Sequence, residues 1–279
     1  MKEGKPTFIY PKPALLKKHI KLYSWLSADS ADFEEHLTYY PNYTSTINIY
    51  KNTSVEFDEL RRTHRPSGTD NFKILFVGKF NRSREIHTLG PYQKLTIVFH
   101  PLGLNHFVAG PLGPLIQEHF SFFDYYGQAL DQLLPKIFSI PDLEERGQIL
   151  DDFFLSQYQD FKEERLKQAV QLILEQEDPL KVQDLADQLQ IGRKTLLRLF
   201  RKHMAYSVEE YISVVKFRKT MINYQSKGGK RNLSQIALEG NYYDQSDFYK
   251  HYKLKCGQTP SQLFKELKTI DDGLFWKFS

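Results

Sequence analysis

The chain has 279 residues, with 38 Lys and Arg against 34 Asp and Glu, and its 41% hydrophobic and 26% charged fractions suit a globular protein with room for two ordinary cores. A single cysteine, Cys256, rules out an intrachain disulfide and any multi-cysteine metal centre. No apolar run reaches the length of a membrane span, and Met1 to Pro6 carries no signal-like apolar stretch, so the expected compartment is the cytoplasm, with no membrane partner.

The chain opens with a proline-led segment, Pro11 to Ile20 followed by Leu22 to Trp25, whose mixed spacing predicts a short helix or an irregular stretch. From about 36 to 110 the pattern changes to short β-branched and aromatic runs: Leu37 to Tyr40, Thr46 to Tyr50, Lys73 to Val77 and Lys94 to Phe99. Turn residues at Pro41-Asn42, Pro66-Ser67-Gly68 and Gly90-Pro91 separate them, which predicts a small β-sandwich or barrel. Arg82 and Arg84 beside Glu85 fit either an acidic effector or a charged hairpin surface. Glu85, His87, His100 and His106 lack the paired H-x-H of a cupin metal centre, so no metal is expected.

Helical spacing begins near Leu115 and runs to about Tyr158, with Phe122, Phe123, Tyr126, Leu130, Leu133, Leu134, Ile149, Phe153 and Phe154 on the apolar side. These residues cover the sheet, form a dimer face, or do both. A further helix follows from Glu163 to Gln176, with Leu166, Ala169, Val170, Ile173 and Leu174 on one stripe.

Two helix-turn-helix patterns come next. In the first, Asp178-Pro179 opens a helix with Val182, Leu185, Ala186 and Leu189 at helical spacing, and a turn follows at Gln190-Ile191-Gly192. Its second helix buries Leu196, Leu199 and Phe200, which leaves Arg193, Lys194, Leu197, Arg198, Arg201 and Lys202 on or near the exposed face. Ser207 to Ser226 is apolar on more than one side and so must be covered by both units. Lys227 to Arg231 then reads as a flexible basic loop suited to a phosphate.

In the second pattern Asn232 to Glu239 precedes a turn at Asn241, a residue that tolerates the left-handed conformation. Phe248 and Tyr252 share one face of the next helix, turning Gln245, Ser246, Tyr249, Lys250 and Lys253 outward. Gly257 stops that helix, and Thr259, Pro260 and Gln262 read as an N-cap, a first-turn proline and a capping-box partner. Cys256, near Lys253 and Lys255, is either redox-active or fills an apolar position in the last turn. The tail Leu274 to Phe278 is too apolar to remain in water and is expected to dock on a groove or a partner. Charge follows this division: residues 193–279 hold 17 Lys and Arg against 8 Asp and Glu, leaving 21 against 26 before them. A polyanion-binding domain needs that asymmetry, although a solvated basic face produces it too.

Residues 163–268 resemble the DNA-binding domain of AraC/XylS-type bacterial transcription regulators, most specifically through Ile236-Ala237, Asp244-Gln245-Ser246, Phe248, Lys250, Tyr252-Lys253 and Gly257 to Pro260. The resemblance implies two units joined by one long helix, seated in successive major grooves. It places Arg193, Lys194, Leu197 and Arg198 on the first recognition helix and Gln245, Ser246, Tyr249 and Lys250 on the second. Lys194, Arg201, Lys202 and Lys253 are the expected phosphate contacts. The chain departs from that pattern with Gln190 and Asn241 for the turn glycines, Gly192 for a serine cap, Lys250 for arginine and Phe264 for a closing arginine. Lysine lacks arginine's two-pronged contact with guanine, so Lys250 is expected to hold phosphate rather than read a base. Phe99-His100-Pro101-Leu102-Gly103 with Phe107, together with the Pro13-to-Trp25 opening, is similar to the sensor domain of a subset of these regulators.

The expected fold is therefore α+β in two domains: a β-rich sandwich or barrel with covering helices, then an all-α double helix-turn-helix domain. Its divisions are 1–115 as regulatory domain, 116–160 as helical connector or dimerisation segment, 161–268 as DNA-binding domain and 269–279 as apolar tail. No G-x-S-x-G, Walker loop or H-E-x-x-H occurs, so neither a catalytic residue nor a cofactor is expected. The leading reading is a sequence-specific transcription regulator whose N-terminal domain senses a ligand or mediates dimerisation. Its partners would be double-stranded promoter DNA, a small-molecule effector, a second copy and, in an activator, RNA polymerase. The alternatives are a cupin-like metalloenzyme fused to a DNA-binding domain, and a regulator whose N-terminal half only oligomerises.

Overall fold

Strands dominate the first half of the chain because β-branched and aromatic residues there recur at period two between turns. A computed structural model describes residues 4–58, 61–78, 80–116, 120–176, 180–226, 232–266, 268–271 and 274–278. The elements run β1 (Thr7–Ile9), α1 (Ala14–Lys17), β2 (Ile20–Ala28), β3 (Glu34–Tyr39), β4 (Ser45–Lys51), β5 (Thr53–Phe57), β6 (Arg61–Pro66), β7 (Phe72–Val77), β8 (Arg84–Leu89) and β9 (Tyr92–Phe99). Single 3-10 turns at Gly103–His106 and Gly113–Leu115 lead to β10 (Phe120–Phe122), α2 (Gln128–Asp131), α3 (Leu134–Ser139) and α4 (Leu143–Gln157).

Two six-stranded sheets result, in the order β1-β2-β9-β4-β7-β10 for the first and, for the second, two strands from the chain's end followed by β3-β8-β6-β5. In the first sheet Tyr23, Ile97, Ile47 and Phe76 lie in register across four strands, as do Trp25, Leu95, Ile49 and Ile74. That face packs on α3 and α4 through Ile137, Phe138, Leu150 and Phe154. Each such side chain contributes about 1.5–3 kcal/mol by leaving water. Asp151 of α4 clamps the layer, accepting from Tyr23 Oη at 2.9 Å and from the Lys12 amide at 2.9 Å. The opposite face looks across at the second sheet and is unusually polar. Lys94 Nζ donates to Tyr39 Oη at 2.9 Å, Thr96 Oγ1 donates to Asn48 Oδ1 at 2.7 Å, and Arg62 and His64 are buried there.

Three expectations change. Leu22 to Trp25 is strand, not helix or irregular chain: β2 is covered on both faces, so its apolar residues run on without the alternation that marks a half-exposed strand. The helical stretch expected from Leu115 starts only at Gln128, because Phe120–Phe122 instead extends the first sheet by pairing with β7. Arg84 belongs to no charged surface; it is buried on the inner face, while Arg82 and Glu85 are exposed and Glu85 pairs with Arg61 at 3.1 Å.

The helical half comprises α5 (Glu164–Glu175), α6 (Val182–Gln188), α7 (Arg193–Met204), α8 (Val208–Ser226), α9 (Leu233–Glu239), α10 (Gln245–Cys256) and α11 (Pro260–Glu266). Tyr211, Val214 and Val215 of α8 join the core of the first unit, and Phe217 and Met221 join that of the second, so α8 is shared as its composition predicted. The chain closes with β11 (Lys268–Asp271) and β12 (Leu274–Phe278), and β12 pairs antiparallel with β3, Trp276 opposite Tyr39. The tail expected to dock on a groove or partner thus docks on the chain's own second sheet. Among the described residues, no helix is long and apolar enough to cross a membrane. The Asp178-Pro179 opening and the Lys227 to Arg231 loop lie outside the described residues.

The halves also share cores. Tyr40 is buried among Phe217, Met221, Tyr252 and Phe264, while Tyr43 and Leu102 pack on the first helical unit. Arg218 of α8 donates to the carbonyls of Pro41 and, at 2.7 Å, Tyr40; Tyr206 Oη donates to Gly78 O at 2.9 Å. Asn105 Nδ2 donates to His203 O at 2.9 Å.

Candidate nucleic-acid interface

Two identical turns position the candidate reading helices. In the first, the Gln190 amide donates to Asp187 O and the Ile191 amide to Ala186 O, both at 3.0 Å. In the second, the Asn241 amide donates to Leu238 O and the Tyr242 amide to Ala237 O, again both at 3.0 Å. Gln190 at φ 53 and Asn241 at φ 56 are both left-handed, which the sequence anticipated for the asparagine and which the shared turn imposes on the glutamine.

Beyond the turns the caps differ. Asp244 caps α10 by accepting from the Asp247 amide at 2.7 Å, whereas Gly192 caps α7 with no side-chain bond. Gly257, at φ 71, ends α10. Thr259 and Gln262 form the expected capping box: the Thr259 amide donates to Gln262 Oε1 at 3.0 Å and the Gln262 amide to Thr259 Oγ1 at 3.3 Å. Ser207 and Glu210 form another at the start of α8 that the sequence reading missed, although its S-x-x-E spacing was visible.

On α7, Leu196 and Phe200 are fully buried, and Arg193, Lys194, Arg198, Arg201 and Lys202 are exposed; on α10, Phe248 and Tyr252 are buried, and Gln245, Ser246, Lys250 and Lys253 are exposed. Leu197 and Tyr249 are half-buried, and Tyr249 Oη shares a hydrogen bond of 3.1 Å with Ser261 Oγ, so it is less available than its helical position suggested. Arg193 of the first unit and Lys250 of the second border one groove along α8, floored by Ile212, Ser213 and Lys216. Arg193 and Lys250, one from each helix, therefore open on a common side of α8. Lys216, not singled out in the sequence, fixes the second turn by donating to Asn241 O at 2.8 Å with its ammonium 3.8 Å from the Tyr242 ring centre. The signal for it was a cation, the first of Lys216, Arg218 and Lys219, interrupting the apolar run of the long helix.

A second recess brings Lys194, Leu197, Arg198, Arg201 and Lys202 beside Gly113 and Pro114 of the N-terminal half. Gly113 is pressed against the end of α7: a Cβ there would lie 2.3 Å from Arg201 O and 2.8 Å from Lys202 O. The sequence gives no sign of this contact.

Other candidates resolve simply. Cys256 is buried and its thiol is pushed up to about 11 by burial, which suits an apolar last-turn residue and opposes thiolate chemistry. Phe264, in place of an arginine, stacks on Tyr224 with ring centres 4.1 Å apart. Glu85, His87, His100 and His106 do not converge: Glu85 pairs with Arg61, His87 with Glu34, and His106 stacks on His19 at 3.8 Å.

A family model described as a helix-turn-helix domain matches residues 185–266, which covers both turns. Residues 185–266 are an AraC-type helix-turn-helix domain. The chain is 30% identical over 89 residues to the Msm operon regulatory protein of Streptococcus mutans, a stretch covering 32% of this chain and 31% of that protein. The match thus spans about a third of the curated relative's length. Similar solved structures include ToxT from Vibrio cholerae, at 11% identity and a TM-score of 0.48, covering 87% of this chain and 98% of ToxT. Wild-type ToxT with bound unsaturated fatty acid, from strain SCE256, is 14% identical with a TM-score of 0.45, covering 87% and 93%.

Proposed function

We propose that this chain is a transcription regulator that grips promoter DNA with both AraC-type units at once, α7 and α10 entering successive major grooves. One observation carries the reading: a turn repeated bond for bond, each copy followed by an exposed face of cations and hydrogen-bonding groups, with Arg193 of one helix and Lys250 of the other bordering one groove on α8. Arg193 and Arg198 have the donor geometry for guanine edges; Lys194, Arg201, Lys202, Lys250 and Lys253 supply phosphate contacts, and Gln245 and Ser246 supply bonds to bases. The Streptococcus mutans relative, named for operon regulation, supports the same assignment.

The N-terminal sandwich then acts as the sensing or pairing half. Its interior is lined by Ser24, Asn48, Thr96 and Tyr39 and is reached at one end by Arg218 of α8, so a small effector held there would bear directly on the helix between the reading heads. Footprinting on promoters neighbouring the gene tests the reading. Two protected segments about 10–10.5 base pairs apart on one face of the duplex are expected; protection of a single segment, or none over random DNA, overturns it.

A further inference from the structure

The outer face of the second sheet, away from both the sandwich interior and the reading helices, carries a cluster that the proposed function does not use. His36 of β3 and His87 of β8 are directly opposed across the two strands, and their rings stack with centres 4.2 Å apart and planes 10° from parallel. Glu34 lies two residues before His36 and so on the same face. Its Oε1 sits 3.2 Å from His36 Nε2 and 2.8 Å from His87 Nε2, and one ligand atom from each of the three residues falls within 4.8 Å of the others.

We propose that Glu34, His36 and His87 form a surface site for a divalent transition metal of the zinc class. Two imidazole nitrogens and one carboxylate oxygen are a donor set that zinc takes and that magnesium and calcium, which prefer all-oxygen shells, do not. Ligand atoms at about 2.1 Å from a tetrahedral ion lie about 3.4 Å apart. The two carboxylate-to-imidazole distances need therefore open only slightly to admit an ion between them, displacing the hydrogen bonds that Glu34 now accepts, while the stacked rings must tilt from parallel so that their in-plane nitrogen lone pairs converge on it. Glu34 and His36 are more than half exposed and can make that movement, while the paired strands hold their Cα positions. Three protein donors leave a fourth position for water or a further ligand.

Bound metal would join β3 to β8 by their side chains as well as their backbones. The C-terminal end of β3 leads into Tyr40 and Pro41, whose carbonyls hold Arg218, so the ion would stiffen the strand on which the DNA-binding half is mounted.

The test uses the full chain, stripped with chelator and titrated with zinc chloride against a chromophoric competitor, with calcium and magnesium as separate arms. One zinc per chain is expected, with thermal stability raised in proportion to saturation and copper(II) giving an electron paramagnetic resonance signal split by two imidazole nitrogens. His36→Ala and His87→Ala should each weaken zinc binding by about tenfold or more, whereas His100→Ala should not. His36 is exposed, so that variant should keep its circular dichroism, and loss of binding in it reads as loss of a ligand. Absence of stoichiometric zinc, binding by either histidine variant as tight as that of the unaltered chain, or equal competition by calcium overturns the proposal.

Discussion

Aligned from their first residues, α7 and α10 place Arg193 with Gln245, Lys194 with Ser246, Leu197 with Tyr249, Arg198 with Lys250 and Arg201 with Lys253. The turns that deliver the two helices are equivalent in their hydrogen bonds, and yet one helix offers four cations at these five positions and the other two. The less charged helix is the better capped, by Asp244; the more charged one is capped by a bare glycine and is met at its far end by Gly113 of the sandwich. On the proposed reading, a scaffold is duplicated while its two copies divide the work, the first supplying more charge and the arginine forks, the second a less charged surface richer in neutral hydrogen-bonding groups.

The most direct way to break this comparison is Arg198→Ala against Lys250→Ala. Losing Arg198 should cost about 1–3 kcal/mol of specific binding and relax discrimination between operator and random DNA. Losing Lys250 should weaken both complexes alike and reduce the salt slope by about one. A titration series in which the two variants behave identically would erase the proposed division.

Gly113→Ala comes next. A methyl group cannot share space with the Arg201 and Lys202 carbonyls, so the sandwich must retreat from α7 at a cost of about 1–3 kcal/mol, read as a lower melting temperature. An unchanged melting curve would show that the contact is not held in solution.

The pH dependence sharpens the second unit. His251 lies between Ser213 Oγ at 2.8 Å and Tyr242 Oη at 2.7 Å, and burial first, then Lys255 and Lys216, lower its pKa from 6.5 to about 3. The unfolded chain takes up this proton before the folded one does. Its contribution is therefore fully present above pH 6.5 and declines as the pH falls toward 3, by up to about 1.36 kcal/mol per pH unit. His251→Gln should flatten the stability curve between pH 6 and 4, estimated as the central part of that window; parallel curves for both proteins would contradict the assignment.

Caps give the smallest effect. Asp244→Ala should cost about 1 kcal/mol, while Gly192→Ser, on an exposed glycine with nothing within 4 Å of a Cβ, should stabilise by about half as much. Calorimetry of the two variants checks both signs.

What could be read without coordinates was local. Turns, stops and the capping box of Thr259 and Gln262 are each decided by residues within four or five positions of one another, and these were legible. Half of the sandwich was legible as well, in β3, β4, β7 and β9, through their β-branched and aromatic runs, whereas β6 and β8, broken up by charged residues and histidines, were not. Nor was β2, whose one β-branched residue, Ile20, follows a proline-led opening with helix-like spacing, nor the inward turn of Arg84, since a charged residue gives no hint of its side of the sheet. The candidate recognition residues lie on exposed faces of their helices, except Leu197 and Tyr249, which are half-buried. The contacts of Gly113 with α7 and of Arg218 with Tyr40 and Pro41 join positions about ninety and nearly two hundred residues apart, and no periodicity encodes them.

Arg218 has one more implication. Its guanidinium is buried and bonded to two main-chain oxygens, so α8 cannot slide or rotate against the sandwich rim without leaving a charge stranded in a dry place. Any displacement of the rim must therefore carry α8 along as a rigid lever, and since both heads are built on that helix, their angle to the DNA would change in concert. Antagonists of such a protein need not touch the duplex; a compound wedged at the rim would act on both heads through that helix.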